Sequence, residues 1–130
     1  MPKTSKNTAS NVQHVPGVVD DRSEELDGYT VSFTRFLGEL DGAPLLRGAV
    51  DDRCQCPHWG FVQSGKITFR FADRDETYEA GDAFYAPPGH TPHTFEGSEV
   101  MMFQPTDELA KSREVMMGNL QAMMGQTAAR

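Results

Sequence analysis

The sequence is poor in the features that would set several protein classes apart. Its 130 residues hold two cysteines and one tryptophan. Two cysteines cannot staple a small secreted scaffold, and one core of this size stands without staples. No apolar run is long enough to cross a bilayer. The first dozen residues carry Lys3 and Lys6 with no apolar stretch after them, so no secretory signal is read and the cytoplasm is expected. Basic residues are also scarce, 12 against 19 acidic ones, for a formal charge of -7. Such a chain repels phosphate backbones and anionic membranes, so neither nucleic acid nor membrane is an expected partner. No Gly-Lys-Ser/Thr phosphate loop and no serine nucleophile elbow occurs.

What is present is alternation. Met1 to about Pro16 is polar and aperiodic, and Val15 to Asp27 carries a Pro-Gly pair and acids; together residues 1–27 read as a flexible arm. From Tyr29 to Leu37 aromatic and β-branched residues recur with period two, which reads as a strand. Further strands are expected at Leu45 to Val50, Phe61 to Gln63, Lys66 to Phe71, Thr77 to Glu79, Ala83 to Ala86, His93 to Phe95 and Val100 to Phe103. Asp41-Gly42, Ser64-Gly65, Gly81-Asp82 and Pro87-Pro88-Gly89 punctuate them. Many short strands with regular turns predict an all-β sandwich or barrel over residues 28–105. Phe61, Phe69, Phe84, Phe95 and Phe103 are core candidates, while Trp59 and Tyr85 are candidates for the barrel mouth or the outer surface.

Residues 106–130 differ. Thr106-Asp107-Glu108 can cap a helix. Leu109, Arg113, Met116, Leu120 and Met123 follow at helical spacing, with Met117 and Met124 beside them. A methionine-rich helix of this kind packs on a core or on a second copy of the chain, and a homodimer is expected.

The soft and imidazole donors concentrate in Cys54-Gln55-Cys56-Pro57-His58 and His90-Thr91-Pro92-His93. Cys54, Cys56 and His58 share one parity, so in an extended segment they face the same way. Pro57 marks an edge or bulge. A disulfide between Cys54 and Cys56 is disfavoured, because residues two apart on a strand lie roughly 6.5 Å apart. Imidazole with thiolate suits zinc, then iron or copper. Cys54, Cys56, His58 and His93 are the expected ligands. His90 stands between exposed and ligating, His14 is expected to be solvated, and Gln63 and Gln104 are weaker candidates for polar groups in the pocket.

These motifs resemble the cupin superfamily. The second cupin motif appears as Gly81-Asp82, Pro87-Pro88-Gly89 and His93. The first is altered: His58 stands where the family has Glu, Phe61-Val62 fill the aromatic-valine slot, and Gly65 marks the turn. The usual His-x-His is replaced by the neighbourhood of Asp52, Cys54 and Cys56. The run Cys-x-Cys-Pro-His-Trp-Gly resembles a subset of small bacterial cupins. The resemblance implies an antiparallel double-stranded β-helix, or jelly-roll barrel, with a C-terminal α-helix. It implies one divalent metal ion, zinc first and iron next, and a small organic ligand in the barrel. Oxygenase, isomerase and lyase chemistry all fit. The alternative is a non-catalytic binding or sensing barrel with a structural zinc ion or no metal. Three protein ligands would favour an enzyme, and four a structural site.

Overall fold

The fold was obtained as a computed structural model that describes residues 2–128, with side chains through Gly125. Ten strands precede one helix: β1 (Asn11–Val15), β2 (Val19–Leu26), β3 (Tyr29–Phe36), β4 (Leu40–Asp41), β5 (His58–Ser64), β6 (Lys66–Arg70), β7 (Asp75–Glu79), β8 (Ala83–Ala86), β9 (Thr91–Thr94), β10 (Glu99–Pro105) and α1 (Thr106–Ala128). They form a six-stranded sheet, β1-β2-β3-β10-β5-β8, facing a four-stranded sheet, β4-β9-β6-β7. Neighbours pair antiparallel throughout. The expected all-β jelly roll with a C-terminal helix is therefore the observed architecture.

Alternation builds the core. Val62, Phe84, Ala86 and Val100 point inward from the large sheet and meet Ile67 and Phe69 of the small one. Burying a side chain of this size stabilises the fold by roughly 1.5–3 kcal/mol. The turn from β5 to β6 needs Gly65, whose φ of 71° is left-handed and whose Cα lies against Ser98. A side chain there would be strained and would collide.

Two expectations fail. Residues 11–26, read as arm, form β1 and β2, and β2 pairs with β3 along its whole length. Its acids obscured a clear period-two pattern: Asp21 and Ser23 are buried, while Asp20, Arg22 and Glu24 take the opposite parity. Leu45 to Val50 is not a strand but part of two 3-10 turns, Ala43–Leu46 and Val50–Asp52. Pro44 starts the first turn, where its missing amide is harmless. Leu45 and Leu46 are then buried, and Asn119 of α1 donates to the carbonyls of Leu45 (2.7 Å) and Arg47 (2.9 Å).

Helix α1 crosses the open end between the sheets. Leu109, Met116, Met117 and Leu120 line the cavity beneath it, so the first part of the methionine stripe faces the protein's own interior. Met124 lies beyond it, exposed. Residues 129–130 of the expected tail lie outside the described residues.

Candidate metal centre

Cys54 lies in irregular chain ahead of β5. Its amide donates to His90 O (2.7 Å), and its carbonyl accepts from the amides of Gly89 (2.8 Å) and His90 (3.2 Å). This isolated bridge joins the chain before β5 to the turn before β9. Gly89, with φ at 95°, lets that turn reverse directly after two prolines. His58 opens β5 opposite Ala86, and its ring centroid lies 5.0 Å from that of His90. Cys54, His58 and His90 each present a donor atom, all within 4.8 Å of one another, and all three residues are buried. The Cys54 Sγ to His58 Nε2 distance is 3.9 Å.

Hydrogen bonds on the far side of each ring set its tautomer. Gln104 donates through Nε2 to Thr30 O (3.2 Å) and Ser32 Oγ (3.0 Å). Its Oε1 is thereby turned to His58 Nδ1 at 2.7 Å. An amide oxygen only accepts, so Nδ1 carries the proton and Nε2 the lone pair. Likewise His90 Nδ1 donates to Pro87 O at 2.7 Å. Its Nε2 is buried with no hydrogen-bond partner among the described residues. A buried nitrogen lone pair left bare is costly unless something else engages it. Oriented imidazoles that expose one nitrogen and anchor the other are the arrangement of metal-ligating histidines.

Electrostatics favour the two imidazoles as neutral ligands and work against a free thiolate at Cys54. Burial, reinforced by the neighbouring His90, pulls the His58 pKa down to about 3. Burial also lowers that of His90, and it raises that of Cys54. Both rings are thus neutral near pH 7, as ligation requires. Cys54 Sγ is 3.1 Å from Ser112 Oγ of α1, a ready donor to a thiolate.

Two expected ligands stand elsewhere. Cys56 is fully buried, but its Sγ faces Pro57 O at 3.5 Å and joins an apolar cluster with Leu46 and Leu109. The shared parity of Cys54, Cys56 and His58 carries no information because residues 55–57 are not extended strand. His93 lies on β9, where Pro92 and Thr94 line the cavity and His93 takes the other face. Its Nε2 meets Glu39 Oε2 at 2.9 Å, and its Nδ1 is buried without a partner on that outer side. The histidine that turns inward is His90, directly after the Gly89 turn. Gln104 fulfils its candidacy, whereas Gln63 is exposed. His14 lies on β1 opposite Asp20.

The three donors open onto a cavity of about 200 Å³ between the sheets and α1. Val15, Val19, Leu45, Phe69 and Met102 give it apolar walls. A polar strut crosses its rim: Arg113 Nη2 to Asp21 Oδ2 at 2.9 Å, with Thr34 Oγ1 donating to Asp21 Oδ1 at 2.7 Å. Sequence reasoning missed this strut, although an arginine inside an apolar helical stripe was its signal.

A two-sheet jelly roll with a buried Cys-His-His cluster facing an interior cavity defines the class. Residues 55–104 match the family described as Cupin domain. That stretch is a cupin domain. No curated protein matches it. Among solved structures, a protein of unknown function from Rhizobium leguminosarum is 19% identical with a TM-score of 0.56, covering 81% of this chain and 95% of its own. An RmlC-like cupin from Shewanella frigidimarina is 13% identical at TM-score 0.52, covering 78% and 88%. The polyketide cyclase RemF from Streptomyces resistomycificus is 12% identical at TM-score 0.55, covering 81% and 79%. At these identities the likeness is one of fold.

Proposed function

We propose that this chain binds one divalent metal ion through Cys54 Sγ, His58 Nε2 and His90 Nε2, and uses it as an enzyme on a small, largely apolar organic molecule held in the adjoining cavity. The observation that carries the reading is the buried, unpartnered lone pair of His90 Nε2 beside two further donors. One thiolate with two imidazoles favours zinc, then iron. Three protein donors would leave a four-coordinate ion an open position, which is the pattern of catalytic rather than structural sites. Such an ion supplies Lewis acidity or activates a bound water or dioxygen. The chain's own groups hold the rest: Gln104 and Pro87 O fix the ring tautomers, Ser112 Oγ stands 3.1 Å from the Cys54 sulfur and would donate to its thiolate, and the apolar walls exclude bulk water. The cavity is smaller than the roughly 300–1,000 Å³ of drug-sized sites, so its occupant is a smaller molecule. Two buried free thiols suit a reducing compartment such as the cytoplasm.

Cobalt(II) reconstitution tests the reading. One equivalent per chain, with a thiolate-to-cobalt absorption band lost in Cys54→Ser, is expected. Azide should then shift the d–d bands by occupying the open position. Failure of the protein to take up zinc, iron or cobalt would overturn the metal reading. A cobalt spectrum insensitive to azide would make the shell closed and the site structural.

A further inference from the structure

Most polar groups around the cavity are already paired within the protein. Gln104 is shared among His58, Thr30 and Ser32. Both oxygens of Asp21 are met, one by Thr34 and one by Arg113. Gln13 donates to Met117 Sδ, and Ser112 stands on Cys54. Arg113 differs, because it is only partly spent. Its Nη2 meets Asp21 Oδ2 at 2.9 Å, and the rest of its guanidinium fork has no partner among the described residues. The fork is planar and matches a carboxylate through two parallel hydrogen bonds.

Position gives those donors a use. Arg113 lines the same cavity as Cys54, His58 and His90. It directly follows Ser112, whose Oγ lies 3.1 Å from Cys54 Sγ, so one turn of α1 faces both the centre and the rim. Its charge adds to burial and to His90 in lowering the His58 pKa, which puts it within electrostatic reach of the centre. With its side chain 36% exposed, the fork stands between the cavity and solvent. The walls beyond it are mostly aliphatic, with Val19, Leu45, Ile67, Met116 and Leu120 among them. Phe61 and Phe103, expected in the core, stand outward at 39% and 42% exposure and add nothing to these walls.

We propose that Arg113 is the recognition residue for a carboxylate, and that the occupant of the cavity is a small aliphatic monocarboxylate. Its carboxylate sits on the guanidinium at the rim, and its alkyl body lies inside, toward Cys54, His58 and His90. The assignment rests on the reading of this cavity as the ligand site. Charge selects a monoanion. Asp21 already offsets part of the guanidinium, and a chain of net charge -7 disfavours a dianion such as a phosphate ester. Asp21 has two effects here. It holds the fork at an apolar rim where an unpaired cation would be costly, and it competes with the ligand for the same charge.

Calorimetric titration of the purified full chain, with added zinc and after chelation, tests the assignment by comparing hexanoate with hexanamide, a probe of nearly the same shape without the charge. Hexanoate should bind at least ~10-fold tighter than hexanamide in both forms, the size of one charge-assisted pair. Arg113→Leu should abolish that preference and leave hexanamide binding unchanged. Arg113→Lys keeps the charge without the fork and should keep only part of the preference; it also serves should the leucine variant fail to fold by circular dichroism. Asp21→Asn should strengthen hexanoate binding, because the competing carboxylate is gone. A purely structural ion pair predicts no such gain. Equal affinity for the two probes, or no hexanoate binding up to ~10 mM, overturns the proposal. So does a preference undiminished in a folded Arg113 variant, or a folded Asp21→Asn protein that binds hexanoate no better. A preference seen only with zinc would put the carboxylate on the metal and overturn it as well. Metal uptake without the preference sinks this assignment alone, whereas the preference without metal uptake upholds it and sinks the metal reading.

Discussion

Replacing Gln104 with leucine tests the logic of the site most directly. The amide is almost fully buried and makes three hydrogen bonds, to His58 Nδ1, Thr30 O and Ser32 Oγ. Leucine has similar volume, so little cavity forms and the cost is mainly polar. Ser32 can turn its hydroxyl toward another acceptor. His58 Nδ1–H and the Thr30 carbonyl cannot follow. Two buried groups left unpaired cost about 1–3 kcal/mol each, so a total near 3 kcal/mol is expected. Urea unfolding of the metal-free protein reads this as a fall in midpoint with unchanged slope. The second consequence is on the metal. Freed from Gln104, the His58 ring loses its fixed tautomer and orientation, and loss of such a supporting bond weakens metal binding by roughly 10–100-fold. A competition titration of zinc against a chromophoric chelator measures it. Both effects must appear together. Wild-type zinc affinity in a variant destabilised by the expected amount would show that Gln104 serves folding alone and that His58 is not held for a metal. Unchanged stability would refute the hydrogen-bond accounting itself.

Other outcomes separate neighbouring roles. His90→Ala should abolish stoichiometric metal uptake, whereas His93→Ala should leave it within about two-fold, measured by elemental analysis after dialysis. Arg113→Leu should cost about 2 kcal/mol in urea unfolding; it strands the buried Asp21 carboxylate, but the arginine is partly exposed, so the loss falls short of a fully buried pair. Phe69→Ala should cost about 3–5 kcal/mol, since its ring touches His58, Tyr78, Phe84 and His90. Gly60→Ala should destabilise by about 1–3 kcal/mol, for a Cβ there would stand 2.8 Å from Met101 O with Phe84 also in its way.

Where local pattern decides the structure, the sequence was readable. Ala83–Ala86 is a strand at the predicted bounds, and the break at Thr106 is where α1 begins. Where distant partners decide, it was not. β2 is an interior strand of the large sheet whose inward Asp21 is met by Thr34 on β3 and by Arg113, far along the chain. The turn at Pro44 is held by α1, which local hydrophobicity cannot foretell. In the site, residue types and segments were legible but directions were not. Alternation assigns a face only within extended chain, and both Cys54 and His90 lie just outside regular strands, held by one backbone bridge to each other. Cys56 was favoured by its parity with His58 and His93 by its place in the second cupin motif, and neither fixes the direction of a side chain.

The residues around the cavity divide by origin. His58, His90 and Gln104 fall within the stretch that matches the cupin family, residues 55–104. Val15, Val18 and Val19 come from before it, and Leu109, Met116, Met117 and Leu120 from after it. At the rim the two ends touch, Gln13 Nε2 donating to Met117 Sδ at 3.2 Å. Two of the three clustered donors thus lie in the matched stretch and Cys54 just before it, while both ends of the chain add apolar wall to that given by Phe69 and Met102. Changes in the two ends would reshape the cavity wall while leaving His58 and His90 in place. Two cupins with the same centre need not share a ligand, and exchanging the terminal segments between them is the natural way to exchange their selectivity.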